Sequence, residues 1–514
     1  MSGWEEWALS LGVFLPFVGA LVIVALPKAQ ESAMRWVAVV ASGASLVISI
    51  IVAAGFDYGA GTKKFQFVAN KSWIETIGAR FHVGVDGIGL PLFVLTTVLT
   101  FLCVIYSLKI MPKPGKPKGF FALILLLETG MAGTFVALDL VLFFIFWELV
   151  LVPMYFLIAV WGSERKEYSA IKFFLYTLFG SVFMLLGFLA MYFRSDIAPN
   201  VPGLQHTFDM IALQGQHFGS TAFVNLVFAG LFLGFAIKVP MWPFHTWLPD
   251  AHGDAPTVGS VLLAGILLKM GAYGFIRIAL PLLPEAARDW APYIGGLAVV
   301  AILYGALCCL AQRDIKRLIA FSSVGHMGFI MLGIATLTPT GINAAIFGMV
   351  AHGVITGMLF FLAGSIYERY HTRVIDDIGP GMMQLMPKLG GVLAFSAIAS
   401  LGLPGLAGFW GEVFALLAAF NPAKGLSTGL FRTYMVLGGV GTILTAGYFL
   451  WLLQRLNLGQ ASEHRISEKL PDVRPVEWAA WAPLLVGIAA LGFYPGAVLK
   501  VTNAAVSALT GVFS

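Results

Sequence analysis

The amino-acid sequence describes an all-α polytopic membrane protein of about fourteen transmembrane helices, and three observations carry that expectation. Hydrophobic residues make up 59% and charged residues 11% of 514 positions, with a mean hydropathy of +0.88, which leaves too little polar surface for a soluble globule. The apolar residues come in unbroken runs of about 20, the length of a spanning helix, rather than the ten-residue alternating strips of a transmembrane β-barrel. The loops between runs also sort by side: nineteen Lys and Arg fall on one face and ten on the other, with Lys238 and Lys269 inside runs. By the positive-inside rule the richer face is cytoplasmic and both termini face outward. The net charge of +5 is spread thinly over these loops, which fits a bilayer with anionic lipids and not nucleic acid.

Taken in order, the spans begin near residues 8, 34, 86, 119, 139, 169, 220, 255, 293, 315, 340, 389, 431 and 477. Glu5 and Glu6 stand where a secretory leader is basic, and no small-residue cleavage site follows, so residues 8 to 26 read as a retained first span. Only the outward connections 56 to 85 and 194 to 219 are long and polar, with room for hairpins or surface helices but no soluble domain. Residues 497 to 514 are short and mildly apolar, and read as a tail at the interface. Cys103, Cys308 and Cys309 fall in spans without metal-ligand spacing, so no iron–sulfur or zinc site is expected. Gly84, Gly87 and Gly89 follow no strand of a dinucleotide fold, and Asn70-Lys71-Ser72 is a chance-level glycosylation match.

Span seven is where the pattern breaks. In FAIKVPMWPFHTWLPDAHGDAPTVGSVLLAGILLKMGAYGF, Pro240 and Pro243 follow Lys238 and remove two backbone donors, so the helix must stop there. Broken membrane helices persist only where the freed backbone meets protein or water, which places a hydrated cavity beside a lysine. LGLPGLAGFWGE repeats the device in span twelve, with Pro404 ahead of Glu412. The two breaks suggest two repeats, spans four to eight and nine to thirteen. The corresponding segments are 1–118, 119–280, 281–457 and 458–514.

Charges within the runs point to proton transfer. A lysine at mid-bilayer costs about 2.5–3.5 kcal/mol to insert, and such residues usually serve a transport path. Glu148, in FFIFWELVLVPMYF, is expected to pair with Lys238, and Lys269 to act as a central relay. His245, His326 and His352 are candidate proton carriers, equally readable as structural hydrogen bonders. They share no metal-ligand spacing with another ligand. Glu412 suits an outlet to the outward side. Asp250, His252 and Asp254 read as loop and cap residues at the cytoplasmic mouth, while Glu128 in span four has no assigned direction.

PFHTWLPDAHGDAPTVGSVLLAGILLKMGAYGFIR, FFIFWELVLVPMYFLIAVWG and LPGLAGFWGE together closely resemble the M-subunit family of bacterial respiratory complex I, the proton-pumping NADH:quinone oxidoreductase. The resemblance runs over nearly the whole chain. It implies an antiporter-like fold with two inverted five-helix repeats and discontinuous helices seven and twelve. By motif position it makes Glu148 and Lys238 a charged pair, Lys269 the central lysine, Glu412 the acid of helix twelve, and His245, His326 and His352 family histidines. Some relatives carry a lysine where this chain has Glu412, which favours M over the L and N types. The family's M subunit holds no cofactor; flavin, iron–sulfur clusters and quinone belong to partner subunits. The implied neighbours are other membrane subunits, the L and N types above all, in a bacterial cytoplasmic membrane. The alternative class is a subunit of a multi-subunit sodium/proton antiporter without electron transfer, and a third is a scaffold that transports nothing.

Overall fold

The structure, a computed structural model, describes residues 3–59, 65–195 and 206–513. Lys63 and Lys64, counted above on the outward face, lie outside the described residues. The chain opens with α1 (Gly3–Ala25) and α2 (Glu31–Gly55), followed by an antiparallel hairpin of β1 (Gln66–Ile74) and β2 (Ala79–Val85). Then come α3 (Gly89–Ser107), α4 (Pro117–Val136), α5 (Leu140–Leu149), α6 (Leu151–Trp161), α7 (Lys166–Arg194), α8 (Thr221–Lys238) and α9 (Trp247–Asp254). The second half holds α10 (Thr257–Leu282), α11 (Pro284–Ala311), α12 (Ile315–Ala335), α13 (Pro339–Tyr370), α14 (Pro387–Ser400), α15 (Ala407–Phe420), α16 (Thr428–Leu456), α17 (Pro475–Phe493) and α18 (Gly496–Thr510).

Fourteen helices are long and apolar enough to cross a bilayer, the number expected, but the set differs by one. It omits span twelve, which is split into α14 and α15, and includes Gly496–Phe513. The contacts of α18 nevertheless keep it at the end of the bundle where α11 and α13 begin. Thr502 and Asn503 bond Asn343 near the start of α13, and the Val512 carbonyl accepts from Arg288 near the start of α11. Glycine is required at position 87, because a Cβ there would collide with the Val501 carbonyl. The tail expected from sequence is therefore a helix laid across the ends of the bundle. The outward connection before α3 is the β-hairpin, the one departure from an all-helical chain among the described residues.

Burial separates core helices from lipid-facing ones. The apolar window of α10 is 100% buried, that of α13 94% and that of α12 89%, against 39% for α2, α7 and α16. Three central helices thus carry Lys269, His352 and His326, while Leu175, Phe179, Leu186 and Ile443 face outward as lipid-contacting residues do. Short polar side chains start the helices: Ser220, Asp314, Thr338 and Ser427 each accept a hydrogen bond from a first-turn amide.

The breaks occur where the prolines place them. Span seven ends its first half at Lys238 and resumes at Trp247, whose indole donates to the Ile237 carbonyl left without a helical partner, at 2.9 Å. Span twelve stops at Ser400 and resumes at Ala407, turning through Gly402 and Gly405 with φ of 83° and 92°, values that disfavour a side chain. Span five is also interrupted, at Val150, which the sequence reading did not foresee; Pro153 cannot donate to the Leu149 carbonyl one turn earlier.

Arg277, one of the ten basic residues that the sequence puts in outward connections, is instead 6% exposed inside α10. Its guanidinium meets Asp86 at 2.5 Å and Tyr273 at 3.1 Å, so the charge is neutralised by the acid that also caps the start of α3. Arg369 lies buried in α13 rather than in a cytoplasmic loop, and binds Glu477 of α17 through two bonds of 2.8 and 2.7 Å. Removing one partner of a buried pair strands the other charge. Arg369→Ala should therefore lower stability by roughly 3–5 kcal/mol, read as a fall in thermal unfolding midpoint, and an Arg369→Leu/Glu477→Leu double variant should recover most of it. Outside the spans, burial chiefly, with Asp209 adding to it, pushes Asp139 up to about 6. Its folded form keeps a proton that the unfolded chain releases, so stability should fall as pH rises from about 4 to 6. Asp139→Asn should flatten that slope in pH-dependent unfolding.

Candidate functional site

Four of the expected residues form one line through the bundle centre. Lys269 sits in Leu268–Gly274, an α-helical stretch of α10 held between two π-helical segments, Leu263–Leu267 and Phe275–Ala279. Such segments recur at functional sites because they disrupt regular backbone pairing. The Lys269 ammonium donates to the Ala264 carbonyl in the first segment and stands 2.6 Å from His352 Nδ1. A charged lysine requires a neutral imidazole as acceptor here, and proton transfer across this bond would leave a neutral amine and an imidazolium. The His352 and His326 rings are 5.6 Å apart between centroids.

His326 is gripped from both sides of the break in span twelve. Its Nδ1 lies 2.8 Å from Glu412 Oε1 on α15, and its Nε2 lies 3.1 Å from the hydroxyl of Ser400, the last residue of α14. The discontinuity thus places an acid and a hydroxyl on one imidazole. His326, His352, Thr356, Ser400 and Glu412 line a common cavity of about 30 Å³. Three polar atoms of these residues, His352 Nε2, Thr356 Oγ1 and Glu412 Oε2, are buried without a partner among the described residues.

The other expected pair is brought close but not into contact. Lys238 is 1% exposed, its ammonium has no hydrogen bond among the described residues, and it lies over the rings of Trp147 at 5.2 Å and Phe173 at 6.0 Å. Glu148, at the end of α5 beside the interruption of span five, interacts with Lys238 through space and lies near the Ser181 hydroxyl. The two do not reach ion-pair distance. The helix bearing Lys269 packs closely on the one ending at Lys238, and a Cβ on Gly271 would sit 2.8 Å from the Phe235 carbonyl. His245 lies in the break of span seven against Tyr304 at 5.0 Å, with no direct bond to either lysine.

At the lysine-rich face, Asp250 binds Arg165, Lys172 and Arg317 at 3.2, 2.8 and 2.9 Å. Asp254 borders a 350 Å³ cavity together with Lys316 and Arg373. The Ser169 and Ser163 hydroxyls donate to its carboxylate at 2.6 and 2.7 Å. These two acids therefore fit a mouth, although they belong to the short helix α9 rather than to a loop. His252 does not: it is fully buried, stacked on Phe360 at 4.5 Å, with both ring nitrogens unpaired. Glu128 is fully buried and turned toward Ser45 of α2, with no bond to the central line. No cluster of three or more His, Cys, Asp or Glu able to hold a metal occurs among the described residues.

Sequence reasoning missed Ser400, Ser181, the buried position of His252 and the π segments. Ser400 carried a signal, since it immediately precedes LGLPGL; π-helical hydrogen bonding left none.

Comparison with known proteins is consistent from several directions. Residues 137–438 match the family described as NADH:quinone oxidoreductase/Mrp antiporter, TM. The chain is 39% identical over 511 residues to NADH-quinone oxidoreductase subunit M of Rickettsia typhi, covering 98% of each. It is 40% identical over 508 residues to the protein of that description from Rhodobacter capsulatus, covering 98% of this chain and 96% of the relative. Among solved structures, a chain of respiratory complex I from Thermus thermophilus with bound NADH superposes with a TM-score of 0.85 at 28% identity, over 98% of this chain and 100% of that one. A chain of the Mrp complex from Dietzia sp. shares the fold at a TM-score of 0.82 and 21% identity, over 97% of this chain and 52% of that one.

A water needs roughly 10–15 Å³ and two to four polar partners, and the cavity beside His326 offers both. A high-resolution experimental map should show ordered water joining His352 Nε2, Thr356 Oγ1 and Glu412 Oε2, and Thr356→Val should displace it.

Proposed function

This chain belongs to the NADH:quinone oxidoreductase/Mrp antiporter transmembrane family, and on that premise we propose that it carries protons as the M-type membrane subunit of an NADH:quinone oxidoreductase. The observation that carries the reading is the near-continuous file Lys269, His352, His326, Glu412 inside helices with no other reason to hold four ionisable groups. Lys269 holds a proton at Nζ and passes it to His352 Nδ1. His326 takes it up across the cavity, and Glu412, bonded to His326 Nδ1, receives it on the side toward the outward exit. Ser400 orients the His326 ring. Glu148 and Lys238 set the field at the other end: as their separation changes, so does the charge that Lys269 faces.

Electron transfer from NADH to quinone belongs to partner subunits, with the flavin, iron–sulfur clusters and quinone there. L- and N-type subunits are the neighbours this reading implies, in a bacterial cytoplasmic membrane with both termini on the periplasmic side. Spans four to eight and nine to thirteen would be the two inverted repeats, each contributing one broken helix. A sodium/proton antiporter subunit is the related alternative. It is less well supported, because relatives sharing residues along the full length are quinone oxidoreductase subunits, whereas the Mrp likeness is one of fold.

Lys269→Ala and Glu148→Gln in the intact complex should each cut proton translocation by roughly tenfold or more, together with coupled NADH:quinone turnover, while NADH:ferricyanide reduction and assembly persist. Proton uptake in reconstituted vesicles measures this, and normal pumping in either variant would refute the assignment. A purified complex without flavin whose exchange follows sodium would favour the antiporter.

A further inference from the structure

A groove of about 760 Å³ opens on the lipid-facing surface between α1, α2, α4 and α6, well away from the proton file. Its size falls within the roughly 300–1,000 Å³ of small-molecule sites. Chemistry changes with depth along it. Val24, Leu123, Phe156 and Val160 make an apolar channel, while Lys28, Lys116 and Lys118 stand at the rim on the lysine-rich face. Lys118 donates to the Leu26 carbonyl at 2.8 Å, tying α4 to the end of α1, whereas Lys28 and Lys116 are exposed and have no anionic partner among the described residues. The one acid at the rim, Glu31, already faces Arg35 at 3.7 Å.

A second feature concentrates positive potential at the same spot. The twenty-residue helix α4 begins here, with Lys116 at its N-cap in a left-handed conformation and Pro117 next, and no side chain caps its first-turn amides. Uncapped amides at the positive end of a helix dipole, flanked by lysines, form an anion seat. Trp161 borders the groove at the same level, as aromatic residues do at the headgroup boundary.

We propose that this groove binds one anionic phospholipid of the cytoplasmic leaflet, its phosphodiester between Lys28, Lys116 and the start of α4 and one acyl chain along Leu123, Phe156 and Val160. Charge complementarity selects this occupant. A zwitterionic lipid brings its own cation to a rim already rich in lysine, and a neighbouring protein helix would have to match three lysines beside a purely apolar channel. The inference rests on the multi-pass membrane reading and is independent of the proton route.

The test places the photoreactive analogue p-benzoylphenylalanine at position 156 in the intact complex, purified in detergent and supplied with defined lipids. Irradiation with phosphatidylglycerol should give at least several-fold more lipid adduct on this subunit, by mass spectrometry, than irradiation with phosphatidylcholine. Lys28→Glu combined with Lys116→Glu should abolish that preference, whereas Lys109→Glu, on the same face but outside the groove, should leave it intact. Equal labelling by both lipids, loss of the preference in the Lys109 variant alone, or crosslinking to a neighbouring subunit in place of lipid would each overturn the proposal.

Discussion

Everything around the centre of this protein follows from one ammonium group placed where water does not reach. Lys269 is fully buried, and among the described residues the only protein atoms bonded to its charge are the Ala264 carbonyl and one ring nitrogen of His352. An isolated cation in hydrocarbon is too costly to keep, so the surroundings supply a polar file in place of solvent. The most deeply buried helices, α10, α12 and α13, are the ones that build it. Outer helices shield it from lipid.

Three interrupted spans serve that file in different ways. In span twelve the break lets Ser400 and Glu412 reach one imidazole from opposite sides, which a straight helix could not do with residues twelve positions apart. In span seven the break ends the helix at Lys238, leaving its ammonium among aromatic faces, while the Trp247 indole satisfies a carbonyl that the break releases. In span five the interruption falls two residues after Glu148. Elsewhere buried charges are closed off by direct pairing, as with Arg277 and Asp86 or Arg369 and Glu477, and these fasten helices to one another. The contrast between these closed pairs and the incompletely paired groups of the central line separates the charges that fasten helices from those proposed to carry protons.

Much of this was legible in residue order. Proline chemistry located two of the three breaks, hydropathy located the spans, and intramembrane charge located Lys269, His326, His352 and Glu412. What sequence could not supply was direction around a helix. Arg277 looked like a loop residue because it lies near a span's end, yet it turns inward to meet Asp86; His252 looked like part of a mouth and is buried against Phe360. Glu148 and Lys238 were expected to pair, whereas the structure leaves them short of contact, with the Trp147 and Phe173 rings beside the ammonium. The π segments left no trace in composition, since they alter backbone hydrogen bonding and not side-chain periodicity. Residues 497 to 514 read as an interfacial tail, although the composition of α18 alone would also suit a crossing helix.

The file is unequal along its length. From Lys269 to Glu412 the groups touch or share a small cavity, while Glu148 and Lys238 stand apart with aromatic rings around the ammonium. The Trp147 and Phe173 rings over Lys238 therefore stand at the end of the line where the groups do not touch, and on the proposed proton route that end is where coupling to the charged pair would be made or lost.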